Sequence, residues 1–252
     1  MSPSKNIGSS RMRAICVSIA EPNVEKCLKA LKNIEFAEIR LDRMNVSEED
    51  VKKIFSKKRK TLIATCRPGE KNEKKKTEAR SENERKELLL SAINAGAAYV
   101  DINVDANDKY RKEIITRAKK NKCKVIVSYH NYKKTPNSAE LDQIVKWCFE
   151  SGADIAKIAC KSNSNADNAR LLALLDSDKK LIIIGIGKKG RITRIIAPLL
   201  GSPFTFASLR EGKETASGQF DAEKLKNILD IIKTFERCSE PTKRVIEYVY
   251  SF

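Results

Sequence analysis

Eight short β-prone runs, alternating with amphipathic helical patterns, constrain this chain more than any other feature. The runs are AICVSIA (14–20), FAEIRLD (36–42), TLIATC (61–66), AYVDI (98–102), KVIVSYH (124–130), ADIAKIA (153–159), KLIIIGI (180–186) and PFTFASL (203–209). Between them apolar residues recur at helical spacing: Val24/Cys27/Leu28/Leu31 behind Pro22, Val51/Ile54/Phe55 behind the capping candidate Ser47, and Leu89/Ala92/Ile93 ending at Gly96. Further along come Leu141/Ile144/Val145/Cys148, Ile192/Ile195/Ile196/Leu199, and Leu225/Ile228/Leu229/Ile232 behind the cap Asp221. Strict strand–helix alternation implies parallel strands joined by right-handed crossovers. Eight such units in 252 residues fit a closed (β/α)8 TIM barrel, one α/β domain, better than an open doubly wound sheet. GIGKKG (185–190) is not expected to be a dinucleotide-binding loop. The lysine-rich stretch at 69–80 reads as a long mobile loop, residues 1–12 as flexible, and 238–252 as a C-terminal tail.

Composition narrows the class. No apolar run is long enough to span a bilayer and the N-terminus lacks a signal-peptide core, so a soluble, cytoplasmic chain is expected. The seven cysteines form no C-x-x-C pair and the chain has one histidine, His130, which argues against disulfides and zinc. Fifty Lys and Arg against 33 Asp and Glu give a net charge of +17. The lysines are dispersed over helix faces and loops, so a solvated basic surface is expected rather than a nucleic-acid interface.

Alternation along a barrel strand sends every second side chain inward, and catalytic groups gather at the carboxyl ends of the strands. Five runs place polar groups inward by this parity: Glu38 and Arg40; Thr61, Thr65 and Arg67; Tyr99, Asp101 and Asn103; Ser128 and His130; and Lys157. A mouth lined by Glu38, Arg40, Arg67, Asp101, His130 and Lys157 costs too much desolvation to be ordinary core. Lys157 and His130 come from consecutive strands and can serve one substrate. Apolar neighbours and guanidinium groups are expected to favour a neutral Lys157 amine able to attack a carbonyl. His130, with a pKa near neutrality, is the matching base.

At these residues the chain resembles type I 3-dehydroquinate dehydratase, the imine-forming enzyme class of the third step of the shikimate pathway. The segments that carry the resemblance are EIRLD (38–42), TCR (65–67), YVDI (99–102), SYHNYKKTP (128–136), ADIAKIA, GKKGRITR (187–194), GSPFTFASL (201–209) and ETASGQF (214–220). The resemblance implies that Lys157 forms a Schiff base with the C3 ketone of 3-dehydroquinate. His130 would abstract a C2 proton and protonate the departing C1 hydroxyl, giving 3-dehydroshikimate. It further implies that Arg194 holds the substrate carboxylate, that Glu38, Arg40 and Arg67 bind the ring hydroxyls, and that Thr215 and Gln219 contact substrate from a closing loop. No cofactor or metal, and a homodimer, are implied as well. Thr215 stands where the family commonly has serine. The acid that orients the histidine should follow TCR, where Glu70 and Glu73 both qualify. A class I aldolase would also explain a lysine in a barrel strand, but SYHNYKKTP and ETASGQF speak against it. A basic nucleic-acid-binding protein on a degenerate barrel is the reading of another class.

Overall fold

The computed structural model describes residues 14–57, 59–69 and 80–237. Glu70 and Glu73, nearly all of the lysine-rich loop, residues 1–12 and the tail 238–252 lie outside the described residues. The strands are β1 (Ala14–Ile19), β2 (Phe36–Arg40), β3 (Thr61–Thr65), β4 (Tyr99–Asn103), β5 (Lys124–Asn131), β6 (Ile155–Lys161), β7 (Leu181–Ile186) and β8 (Phe204–Ser208). They alternate with helices α1 (Val24–Leu31), α2 (Glu48–Phe55), α3 (Glu82–Asn94), α4 (Asp108–Lys120), α5 (Ser138–Glu150), α6 (Asn165–Ala173), α7 (Thr193–Leu200) and α8 (Ala222–Arg237).

Local chemistry starts these helices where it should. Ser47, Ser81, Asn137 and Ser164 each accept a hydrogen bond from the third helical N–H, and the acid three residues on returns to the cap backbone. Each such box satisfies two otherwise orphaned donors. Asp221 caps α8 through Lys224 N at 2.9 Å. No helix among the described residues is long and apolar enough to cross a membrane.

All strand pairs are parallel, in the order β7-β6-β5-β4-β3-β2-β1-β8. The barrel is nearly closed: among the described residues no backbone ladder joins β7 to β8. The start of α7 fills that seam instead. Thr193 Oγ1 accepts from Gly185 N of β7 at 2.7 Å, while Thr205 Oγ1 of β8 donates to Arg194 O at 3.0 Å. Gly185, Gly187 and Gly190 do carry the G-x-G-x-x-G spacing, so spacing alone does not dismiss a dinucleotide loop. Their surroundings do. A Cβ on Gly185 would lie 2.7 Å from Gly190 Cα, and Gly187 N donates to Ser217 O at 2.9 Å, so these glycines allow backbone to pack on backbone.

Parity holds on all five strands to which it applies. Ala37, Ile39, Leu62, Ala64, Val100, Ile102, Val125, Val127, Ala156 and Ile158 belong to the core between sheet and helices. Ile63, Ile126 and Ile155 join Cys16, Ile182 and Phe204 in a separate apolar cluster inside the barrel. That inner cluster is the floor on which the polar mouth rests.

Candidate active site

Above the floor, at the carboxyl ends of the strands, lies a cavity of ≈ 260 Å³. All eight residues singled out for binding or catalysis and described here line it: Glu38, Arg40, Arg67, His130, Lys157, Arg194, Thr215 and Gln219. Strand register explains the convergence. Lys157 on β6 stands opposite Ser128 of β5, and His130 stands opposite Ala159, so the lysine and the histidine share one face two residues apart in height.

The lysine is buried, at 5% exposure, yet its charged neighbours are not those expected. Nζ donates to Asp101 Oδ2 at 2.9 Å, stands 3.7 Å from Glu38 Oε1, and lies 4.1 Å from the centroid of the Phe206 ring. Apolar contact is present, but the partners are carboxylates rather than guanidiniums. The guanidinium surroundings expected for Lys157 are thus replaced by two carboxylates, one of them in direct hydrogen bond with the amine. Only the unprotonated amine is a nucleophile.

Asp101 is the hub. Oδ2 also accepts from Arg67 Nη2 at 3.0 Å, and Oδ1 accepts from Ser128 Oγ at 2.6 Å. Burial alone would raise its pKa, but the Arg67 guanidinium and Lys157 ammonium outweigh that cost and hold the carboxyl well below the usual carboxylate range. Glu38 is satisfied by hydroxyls, its two oxygens accepting from Ser18 Oγ at 2.7 Å and Thr65 Oγ1 at 3.0 Å. Arg40 is fixed by a bidentate pair with Asp42, at 3.0 and 2.6 Å.

His130 differs from expectation in a second way. Burial, reinforced by Arg67 and Lys157, pushes its pKa well below 6.5 rather than leaving it near neutrality, so the ring is neutral. Arg67 Nη1 approaches Nδ1 at 3.1 Å. A guanidinium cannot accept a hydrogen bond, so Nδ1 accepts and the ring proton sits on Nε2. The orienting acids suggested by the sequence, Glu70 and Glu73, lie outside the described residues; among those described, Asp101 is the acid whose charge most affects the ring.

Arg194 is 1% exposed and carries no carboxylate partner among the described residues. Nη1 donates one long bond to Phe206 O at 3.4 Å, and Nε is unsatisfied. Burial, with Arg191 nearby, pulls its pKa down to about 10. A buried cation of this kind is costly unless an anion completes it. Thr215 and Gln219 sit on the segment that spans the mouth. Gln219 Oε1 accepts from Thr215 N at 2.7 Å and from its Oγ1 at 3.2 Å, and Gln219 Nε2 reaches Ser18 Oγ at 3.5 Å.

Sequence reasoning placed Asp101, Thr65 and Ser128 inside the barrel without giving them a role, and it passed over Ser18, Asp42 and Tyr132. Thr65 and Ser128 carried a usable signal, inward parity. Tyr132 carried none: its ring lies 6.1 Å from that of His130 at 23°, a contact made by the chain turning after β5.

Comparison with known proteins shows the family of the chain. A family model described as Type I 3-dehydroquinase matches residues 15–236. The chain is 39% identical to the 3-dehydroquinate dehydratase of Methanococcus maripaludis over 230 residues, covering 87% of this chain and 100% of the relative. It is 38% identical to that of Methanocaldococcus jannaschii over 222 residues, covering 85% and 96%. The structure of type I 3-dehydroquinate dehydratase from Clostridium difficile with covalently modified comenic acid superposes with a TM-score of 0.76 at 25% identity, covering 87% and 92%. The enzyme from Aquifex aeolicus gives 0.69 at 26% identity, covering 86% and 97%.

Proposed function

The chain belongs to the type I 3-dehydroquinase family of hydro-lyases, and we propose that it dehydrates 3-dehydroquinate to 3-dehydroshikimate through an imine on Lys157 with His130 as acid and base. The observation that carries this reading is a buried amine and a neutral imidazole on adjacent strands of one cavity. A covalently modified ligand in the Clostridium difficile relative is consistent with it.

Arg194 supplies the entry point. Its unsatisfied guanidinium receives the substrate carboxylate, which orients the ring and places the C3 ketone over Lys157. Glu38, Arg40 and Arg67 hold ring hydroxyls. Lys157 loses its extra proton, its lone pair attacks C3, and the carbonyl oxygen departs as water, leaving a protonated imine. His130 then takes a C2 proton, and the C–H electron pair moves toward the cationic nitrogen. The C1 hydroxyl leaves as water with a proton from His130, and hydrolysis releases the product. For Nε2 to accept a proton, the ring must carry its own on Nδ1, which requires Arg67 to turn from the imidazole to the substrate. Thr215 and Gln219 close the site against bulk water. Cytoplasmic placement and a homodimer belong to the same proposal, and the dimer is checked by sedimentation.

The test is reduction with borohydride in the presence of 3-dehydroquinate. We expect a covalent adduct on Lys157 in the mass spectrum, absent together with turnover in Lys157→Ala. Dehydration that persists without Lys157 overturns the mechanism.

A further inference from the structure

The imine reading leaves one group without a task. Asp101 is fully buried, its carboxylate touches Lys157 Nζ at 2.9 Å, and no face of it lines the substrate cavity. Arg67 and Ser128 hold the carboxylate in place at 3.0 and 2.6 Å. We propose that Asp101 is the counter-ion of the protonated imine: it keeps the positive charge on the Lys157 nitrogen while the carbon acid beside it is deprotonated. This inference rests on the imine reading.

Charge bookkeeping at the nitrogen supports it. The resting ammonium and the protonated imine each carry one positive charge on the same atom, whereas the free amine and a neutral imine carry none. A fixed anion in a buried site favours the two charged forms at both ends of the reaction. Only the charged imine is a strong electron sink, because the C2–H pair must flow toward a nitrogen able to receive it. The proton count closes: the two protons that nitrogen loses between ammonium and protonated imine leave with the carbonyl oxygen as water, and Asp101 stays ionised throughout.

The other groups facing this nitrogen do not fit the task. Glu38 on β2 is farther, at 3.7 Å, and both its oxygens are engaged by Ser18 and Thr65. His130 on β5 is neutral, Arg67 is a cation, Cys16 on β1 is held protonated by burial, and β8 offers the Phe206 ring. Arg67 and Ser128 act on Asp101 rather than on the nitrogen, so Asp101 is the group whose removal changes the charge there without itself facing the substrate cavity.

The test is Asp101→Asn, which keeps the shape and removes the charge. We expect kcat to fall by about 10²-fold with KM changed far less, as for loss of one preorganised electrostatic partner. The diagnostic readout is the alkaline limb of the kcat–pH profile, which should move about 1–3 pH units toward lower pH because the imine sheds its proton more readily. Asp101→Glu should restore part of that shift. A Lys157 adduct in the wild-type protein with an unmoved limb in Asp101→Asn overturns the counter-ion role alone. Absence of any wild-type adduct overturns the imine and this inference together. Should Asp101→Asn fail to fold, Ser128→Ala, which frees the carboxylate to drift, must move the same limb in the same direction by a smaller amount; an unmoved limb there overturns the proposal.

Discussion

Two levels of the same barrel interior, two residues apart along each strand, are built on opposite principles. On the floor the inward positions are Cys16, Phe36, Ile63, Tyr99, Ile126 and Ile155; one inward step toward the carboxyl ends they become Ser18, Glu38, Thr65, Asp101, Ser128 and Lys157. Both levels stand on the same parallel strands. Only the side chains differ. The floor is joined by aromatic contacts, Phe204 meeting Phe36, Tyr99 and Phe206 at centroid distances of 4.9, 5.8 and 5.5 Å. The mouth is joined by charge-assisted hydrogen bonds, most of which lead to Asp101 or Glu38, with Arg40 paired separately to Asp42. Strands β7 and β8 do not take part in the switch: Ile182, Ile184, Ile186 and Phe206 remain apolar, so the charged group is walled on one side by hydrocarbon. Stability and chemistry are thus assigned to different layers of one continuous scaffold.

The pair of substitutions with the largest expected effects separates those layers. Phe204→Ala should cost about 3–5 kcal/mol of unfolding free energy by urea titration, with kcat of the folded fraction nearly unchanged. His130→Ala should do the reverse, lowering kcat by about 10²–10⁴-fold while an adduct on Lys157 still forms, with stability within about 1 kcal/mol of wild type. If Phe204→Ala abolishes chemistry in folded protein, or His130→Ala unfolds the chain, the division between floor and mouth is wrong.

Arg194 sharpens the comparison because it is a mouth residue that weakens the empty protein. It is buried, lacks a carboxylate partner among the described residues, and leaves Nε unsatisfied. Arg194→Met should therefore raise the stability of the ligand-free protein by about 1–4 kcal/mol, as replacement of a poorly paired buried charge by an apolar side chain can do. The same variant should raise KM by about 10²-fold, since the substrate carboxylate then meets no cation. Destabilisation of the empty protein by Arg194→Met would show that the guanidinium is already compensated.

Side-chain parity is why so much of the interior was readable in advance. A period of two tells inward from outward on each strand separately, and it correctly assigned Glu38, Thr65, Asp101, Ser128 and Lys157 to the inside. It says nothing about stagger between strands. That stagger brings Asp101 to Lys157 although their strands are separated by β5, and it replaced the expected guanidinium neighbours with carboxylates. The unpaired state of Arg194 was invisible for a related reason: absence of a partner is a property of the whole assembled mouth. At the β7–β8 seam, likewise, a complete ladder was expected and Thr193 and Thr205 were found bridging through α7, because hydroxyl side chains can stand in for backbone pairing.

The smallest effect follows from His130 being the only histidine in 252 residues. Its folded pKa lies well below 6.5 because burial, Arg67 and Lys157 disfavour the imidazolium, whereas the unfolded chain protonates it near 6.5. The unfolded state therefore binds more protons between the two values, and stability rises with pH across that window and is lost as pH falls below about 6.5. The slope cannot exceed about 1.4 kcal/mol per pH unit for one group, and it should vanish in His130→Gln between pH 7 and 5.5. Urea midpoints across this range measure it without interference from a second imidazole. The same depression keeps His130 unprotonated at pH 6.5, so the acid limb of kcat/KM that reports this base should fall below that pH. A limb at or above 6.5 would mean that Arg67 and Lys157 do not act on the ring as their positions require.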